Sequence, residues 1–170
     1  LAAGVPCQPF SMAGLGAGLD CDRGNLFKSA LRLALDTGAR ALLIENVAGM
    51  KLRGALPAVL AACGAHGFHA ATATLHAEAF GVPQARRRVF IVGFRDPATL
   101  ARFRWPEATH APPGDLFGLP PWRTFADAVG LPAGIADVLD RPSATVTAGA
   151  TDGGSHTGGA EVFANGPYRK

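Results

Sequence analysis

The sequence predicts an α/β fold with a mostly parallel sheet, and three observations carry that expectation. Short apolar runs alternate with segments of helical periodicity through the first hundred residues. The run ALLIENV, Ala41 to Val47, is apolar and turns polar at its end, as a buried parallel strand does when it delivers a side chain to its carboxyl edge. Beyond Trp105 the texture changes: eight of the thirteen prolines fall at or after Pro106, so loops and short strands are expected there.

Taken in order, residues 1–5 read as the end of a buried strand that breaks at Pro6. From Asn25 to Leu35, NLFKSALRLAL places Leu26, Ala30, Leu33 and Ala34, with Phe27 and Leu31 beside them, on one broad helical face, and Gly38 is positioned to end that helix. Ala41 to Val47 is the next strand and carries Glu45. A second helix begins near Pro57, where proline is tolerated in the first turn, and ends at Gly64. Further strands follow at Phe68 to Leu75 and Arg88 to Phe94. Strand, helix, strand, helix, strand implies right-handed crossovers and a ligand site at the carboxyl ends of the strands, which Cys7 and Glu45 would share. The expected division is a core over residues 1–104 and a small irregular segment over 105–170.

Bulk properties narrow the function classes. At 170 residues and 17.4 kDa the chain suits one compact domain, and 48% hydrophobic against 17% charged residues argues against wholesale disorder. No apolar stretch approaches the ~20 residues that span a bilayer, and the N-terminus lacks a secretion pattern, so a cytoplasmic protein without a membrane partner is expected. Three cysteines, Cys7, Cys21 and Cys63, do not form an even disulfide set. The formal net charge of +3 is mild, but Arg86, Arg87 and Arg88 are consecutive and Arg95, Arg102 and Arg104 follow; such a cluster suits phosphate contacts or a solvated face.

Cys7 lies between Pro6 and Pro9, which stiffen the backbone around a sulfur at a strand end. Taken alone, a cysteine is as readily buried packing as a nucleophile, and Glu45 alone is as readily a surface acid. The string CGAHGFH spaces Cys63, His66 and His69 at metal-like intervals, but no fourth ligand is evident and no metal is expected. TVTAGATDGGSH, Thr145 to His156, lacks the Lys and Ser/Thr arrangement of a phosphate-binding loop.

Four strings change that balance: PCQPFS from Pro6, DCDRGNLF from Asp20, ENV from Glu45 and QARRRVFIVG from Gln84. Their order and spacing resemble the central motifs of the DNA cytosine-5 methyltransferases, and RPSATVTAG, Arg141 to Gly149, looks like the segment that follows the target-recognition region in many members. The resemblance implies part of a Rossmann-like, S-adenosylmethionine-dependent methyltransferase sheet and methyl transfer from that cofactor to carbon 5 of cytosine in duplex DNA. By position in the motifs, Cys7 is the nucleophile that adds to carbon 6, and Glu45 protonates or hydrogen-bonds ring nitrogen 3. Arg88 holds the cytosine carbonyl oxygen, and Arg86 fixes the surroundings of Cys7 or the DNA backbone. Gln8, Ser11, Gln84, Thr145 and Thr147 are implied DNA contacts; Asn46 supports the loop carrying Glu45, and Arg87 is surface charge. The target base would be flipped out of the duplex.

FSMAGLGAGLD imitates the family's cofactor loop, but its place after PCQPFS makes it a lid over the flipped base. The family's first three motifs are then missing, Pro6 and Leu26 are what remains of the cofactor site, and the final motifs are absent after Lys170. The chain therefore reads as an internal piece of a methyltransferase, truncated or one part of a split enzyme, with a complementary methyltransferase fragment as an expected partner. Two other readings stay open: an RNA cytosine-5 methyltransferase, and a non-catalytic DNA-binding remnant or subunit.

Overall fold

A computed structural model describes residues 1–5, 25–52, 55–131 and 141–144. It divides into two compact units, the first made of Leu1–Leu75 and Arg87–Pro106, the second of His76–Arg86 and Glu107–Lys170.

The first unit is built on a four-stranded sheet. Strand β1, Ala2–Gly4, leads to helix α1, Asn25–Asp36, then to β2, Ala41–Val47. A short helix α2, Gly49–Leu52, and α3, Ala55–Ala65, precede β3, His69–His76. After a 3-10 turn, Ala77–Phe80, and a two-residue strand β4, Gln84–Ala85, the chain returns as β5, Arg87–Phe94, and α4, Pro97–Arg102. Across the sheet the order is β1-β2-β5-β3.

The expectation of a mostly parallel sheet is corrected: the sheet is mixed. β1 runs parallel to β2, with Ala2 opposite Leu43 and Gly4 opposite Glu45. β5 lies antiparallel to β2 along its whole length, from Ala41 opposite Phe94 to Val47 opposite Arg88. Gly93, near the end of β5, packs on Phe68 and His69 at the start of β3, while the Ala77 N–H reaches the Arg86 carbonyl past the other ends, so β3 also opposes β5. The reason is the length of the link. Only residues 77–86 join β3 to β5, and a parallel crossover takes a dozen or more, so the chain must turn back.

Alternation along the strands divides the sheet into two faces. Leu42, Ile44, Val89 and Ile91 point to the helices and are buried with Phe27, Leu31 and Ala34 of α1, Met50 of α2 and Val59 and Cys63 of α3. Ala3 and Val5 pack against this core from the β1 side of β2, whereas Ala2 and Gly4 are exposed. The opposite face carries Leu43, Phe90, Val92 and Phe94, which with Phe103 and Trp105 line an open apolar cleft.

Helix α1 buries a narrower stripe than its composition suggests. Phe27, Leu31 and Ala34, spaced four and then three apart, face the core, while Leu26 and Leu33 are 49% and 50% exposed. Gly38 ends the helix in the left-handed region, φ +63°, where it donates to Leu35 O while Ala39 donates to Ala34 O, the paired closing bonds of a Schellman motif.

In the second unit β4 pairs in parallel with β6, Ser143–Ala144. A five-residue helix α5, Phe125–Val129, starts on a capping box in which Thr124 and Asp127 each accept the other's backbone N–H. Gly81, at φ +79°, leaves room for the His110 ring: a Cβ there would lie 2.7 Å from His110 Cε1. Among the described residues no helix is long and apolar enough to cross a membrane.

The two kinds of leucine in α1 make a direct test. Leu31→Ala should destabilise the fold by about 2–5 kcal/mol, and Leu33→Ala by less than about 1 kcal/mol, in urea unfolding followed by circular dichroism.

Candidate functional site

In the first unit the β2·β5 register sets Glu45 beside Arg88. Glu45 is two residues from the end of β2 and Arg88 is the second residue of β5; both belong to the face turned away from the helices. Glu45 Oε1 lies 2.8 Å from Arg88 Nε, with the two side chains 36% and 18% exposed. Arg88 also donates from Nη1 to the Arg87 carbonyl at 2.9 Å, which steadies the guanidinium near the start of β5. The arrangement offers a carboxyl and a planar set of N–H donors side by side, within reach of solvent.

Asn46, the next residue, points to the opposite face and is buried. Its Oδ1 accepts the Val47 N–H at 2.8 Å, whereas its buried Nδ2 has no hydrogen-bond partner among the described residues. Leu26 stands half exposed in the first turn of α1. Pro6, Cys7, Gln8 and Ser11, together with the glycine run that follows, lie outside the described residues, as do Thr145 and Thr147.

The second unit holds Gln84 and Arg86. Gln84 sits opposite Ser143 in the β4·β6 ladder, so the strand that ends just before Thr145 runs beside it. Arg86 is held by its backbone: its N–H donates to Glu78 Oε2 at 3.2 Å and its carbonyl accepts the Ala77 N–H at 2.9 Å. Glu78 is completely buried, and its other oxygen lies 3.4 Å from Nδ1 of the half-exposed His76. Sequence reasoning passed over Glu78, an acid among alanines in HAEAF that belongs to no recognised motif.

Arg87 is exposed, at the first position of β5. Cys63 faces the core, His66 Nδ1 bonds the Ala62 carbonyl at 2.8 Å, and His69 is exposed on β3. Among the described residues no three His, Cys, Asp or Glu side chains group as metal ligands would.

Residues 1–142 match the family described as C-5 cytosine-specific DNA methylase. The type II methyltransferase M.NlaX of Neisseria lactamica is 39% identical over 119 residues, covering 68% of this chain and 38% of that protein. M.AquIA of Picosynechococcus sp., also a type II methyltransferase, is 38% identical over 144 residues, covering 74% of this chain and 57% of its own length. The chain thus spans less than two thirds of these relatives. Among solved structures, the Entamoeba histolytica methyltransferase EhMeth superposes with a TM-score of 0.47 at 17% identity, over 63% of this chain and 34% of that one.

Burial pushes the Cys63 thiol up to about 11, since the thiolate loses its hydration in the core. At pH 8 only about one molecule in a thousand then carries a thiolate there. Iodoacetamide at pH 8 should leave Cys63 unmodified in the folded protein and label it in urea, read by peptide mass spectrometry. The folded value lies above the ordinary thiol value of 9.0, so the stabilisation from keeping this thiol neutral is complete below pH 9 and is lost as pH rises toward 11.

Proposed function

Because the chain belongs to the C-5 cytosine-specific DNA methylase family, we propose that it supplies the catalytic centre of an enzyme that methylates carbon 5 of cytosine in duplex DNA, of the restriction-modification or orphan type. The observation that carries this reading is the Glu45–Arg88 pair, 2.8 Å apart on neighbouring strands. Cytosine presents ring nitrogen 3 and its carbonyl oxygen on adjacent ring atoms. A carboxyl that donates a proton to the first, beside a guanidinium that donates to the second, matches that edge.

Cys7 completes the set. It follows Gly4 by three residues, a span that covalent geometry limits to roughly 11 Å, and Gly4 is opposite Glu45 in the sheet. The Cys7 thiolate adds to carbon 6 of a flipped cytosine, while Glu45 protonates or hydrogen-bonds nitrogen 3 and Arg88 holds the carbonyl oxygen, so the electron pair displaced from the 5,6 double bond is stabilised and carbon 5 becomes nucleophilic. When bound, S-adenosylmethionine supplies the electrophilic methyl. After methylation the proton leaves carbon 5, and elimination re-forms the double bond and frees Cys7.

Gln8, Ser11, Gln84, Thr145 and Thr147 contact the DNA in this reading, and Arg86 contacts the DNA backbone. Asn46, with its buried Nδ2 at the end of β2, supports the loop next to Glu45. Leu26 fits a cofactor contact in one respect: it offers an exposed apolar side chain at a helix start. Pro6 is a further cofactor contact in this reading.

The test uses the full-length protein, with its complementary polypeptide where the two are separate. Polymerase-made plasmid-length duplex in which 5-fluorocytosine replaces cytosine should form a covalent adduct in the presence of S-adenosylmethionine, stable in denaturing electrophoresis. Cys7→Ser should abolish the adduct, and Glu45→Gln should slow its formation by roughly 10²–10⁴-fold. An adduct formed equally by Cys7→Ser would remove the nucleophile assignment. Reaction with fluorinated RNA alone would move the substrate to RNA, and salt-sensitive duplex binding without any adduct would make the chain a binding module.

A further inference from the structure

The mechanism leaves Glu78 unused, although a buried carboxylate needs compensating partners. It lies at the second position of the 3-10 turn, fully buried, eight residues before Arg86. Its Oε2 accepts the Arg86 N–H, and the residue before it, Ala77, donates its own N–H to the Arg86 carbonyl. Two consecutive residues therefore grip both polar groups of Arg86's backbone. The intervening chain is tied to the same turn: Gly81 donates to Glu78 O, Val82 to Ala77 O, and Gln84 to Val82 O at 2.7 Å.

A backbone amide could have been satisfied by another strand or by water. A side-chain carboxylate instead sets the distance between the turn and the Gln84–Arg86 segment by its own length. We infer that Glu78 is a positioning residue: its carboxylate clamps the Arg86 backbone and so sets the placement of Arg86 and Gln84 for their work on DNA. The inference rests on the reading of those two residues given under the proposed function.

Three substitutions separate reach from charge and from bulk. Glu78→Gln keeps an acceptor oxygen at the same distance, Glu78→Asp keeps the charge but draws it back by one methylene, and Glu78→Ala removes both. Adduct formation on the 5-fluorocytosine duplex should fall at least tenfold in Glu78→Asp and Glu78→Ala, and Glu78→Gln should recover most of the wild-type rate. Duplex affinity, measured without S-adenosylmethionine, should fall alongside trapping in Glu78→Asp and Glu78→Ala and recover in Glu78→Gln. Amide hydrogen exchange at Arg86 should be slow in the wild type and Glu78→Gln and fast in Glu78→Asp.

Glu78→Asp trapping DNA at the wild-type rate would overturn the inference, as would a folded Glu78→Gln that traps no better than Glu78→Ala. Should Asp and Ala fail to fold, the Gln variant and the exchange of the Arg86 amide in the wild type still decide: fast exchange in the folded protein would exclude the clamp. A wild-type protein that forms no adduct defeats the reaction assigned to the site, and the exchange measurement continues to judge Glu78 separately.

Discussion

The antiparallel register of β2 against β5 decides which side chains of the sheet can meet. Seven consecutive pairs run from Ala41 opposite Phe94 to Val47 opposite Arg88. Because side chains alternate, a slip of one residue would turn out of the core either Leu42 and Ile44, if β2 moved, or Val89 and Ile91, if β5 moved. Burial of those four residues therefore fixes the register, and the register carries Glu45 to Arg88. An acid and an arginine 43 positions apart in sequence meet because hydrophobic residues between and beside them insist on one alignment.

Local pattern made much of this legible in advance. The strand Ala41–Val47 was readable residue for residue from its apolar run and polar end, and Gly38 marked the end of α1 because only a left-handed residue closes a helix in that way. Long-range pairing was not readable in the same way. Strand, helix, strand suggests parallel crossovers, and that rule holds for β1 and β2; it fails at β5, where the link from β3 carries a 3-10 turn and no crossover helix. The outward placement of Leu26 and Leu33 was hidden for a related reason, since α1 has apolar residues on more than one face and only the packed sheet selects Phe27, Leu31 and Ala34.

The candidate site divides along similar lines. Glu45 and Arg88 were recognisable from motif positions, but their direct pairing depends on the sheet. Glu78 had no motif to announce it. Its significance comes from a hydrogen bond to a backbone amide, and such a bond leaves no mark in the identity of the residue that donates. A side chain that serves another residue's main chain is therefore harder to find from sequence than one that sits in a motif.

Alternation also separates the packing that stabilises the fold from the candidate site. The helix-covered face of the sheet buries large apolar side chains, each contributing about 1.5–3 kcal/mol when removed from water. On the other face, the Glu45–Arg88 pair is partly exposed, and ion pairs in that setting contribute only about 0–1 kcal/mol. The fold consequently has little need of the pair. Either residue can change without drawing on the packing that sets the register, so the geometry around it survives the change. Positions 45 and 88 are then free of the packing constraint that governs their neighbours Ile44 and Val89, which are wholly buried.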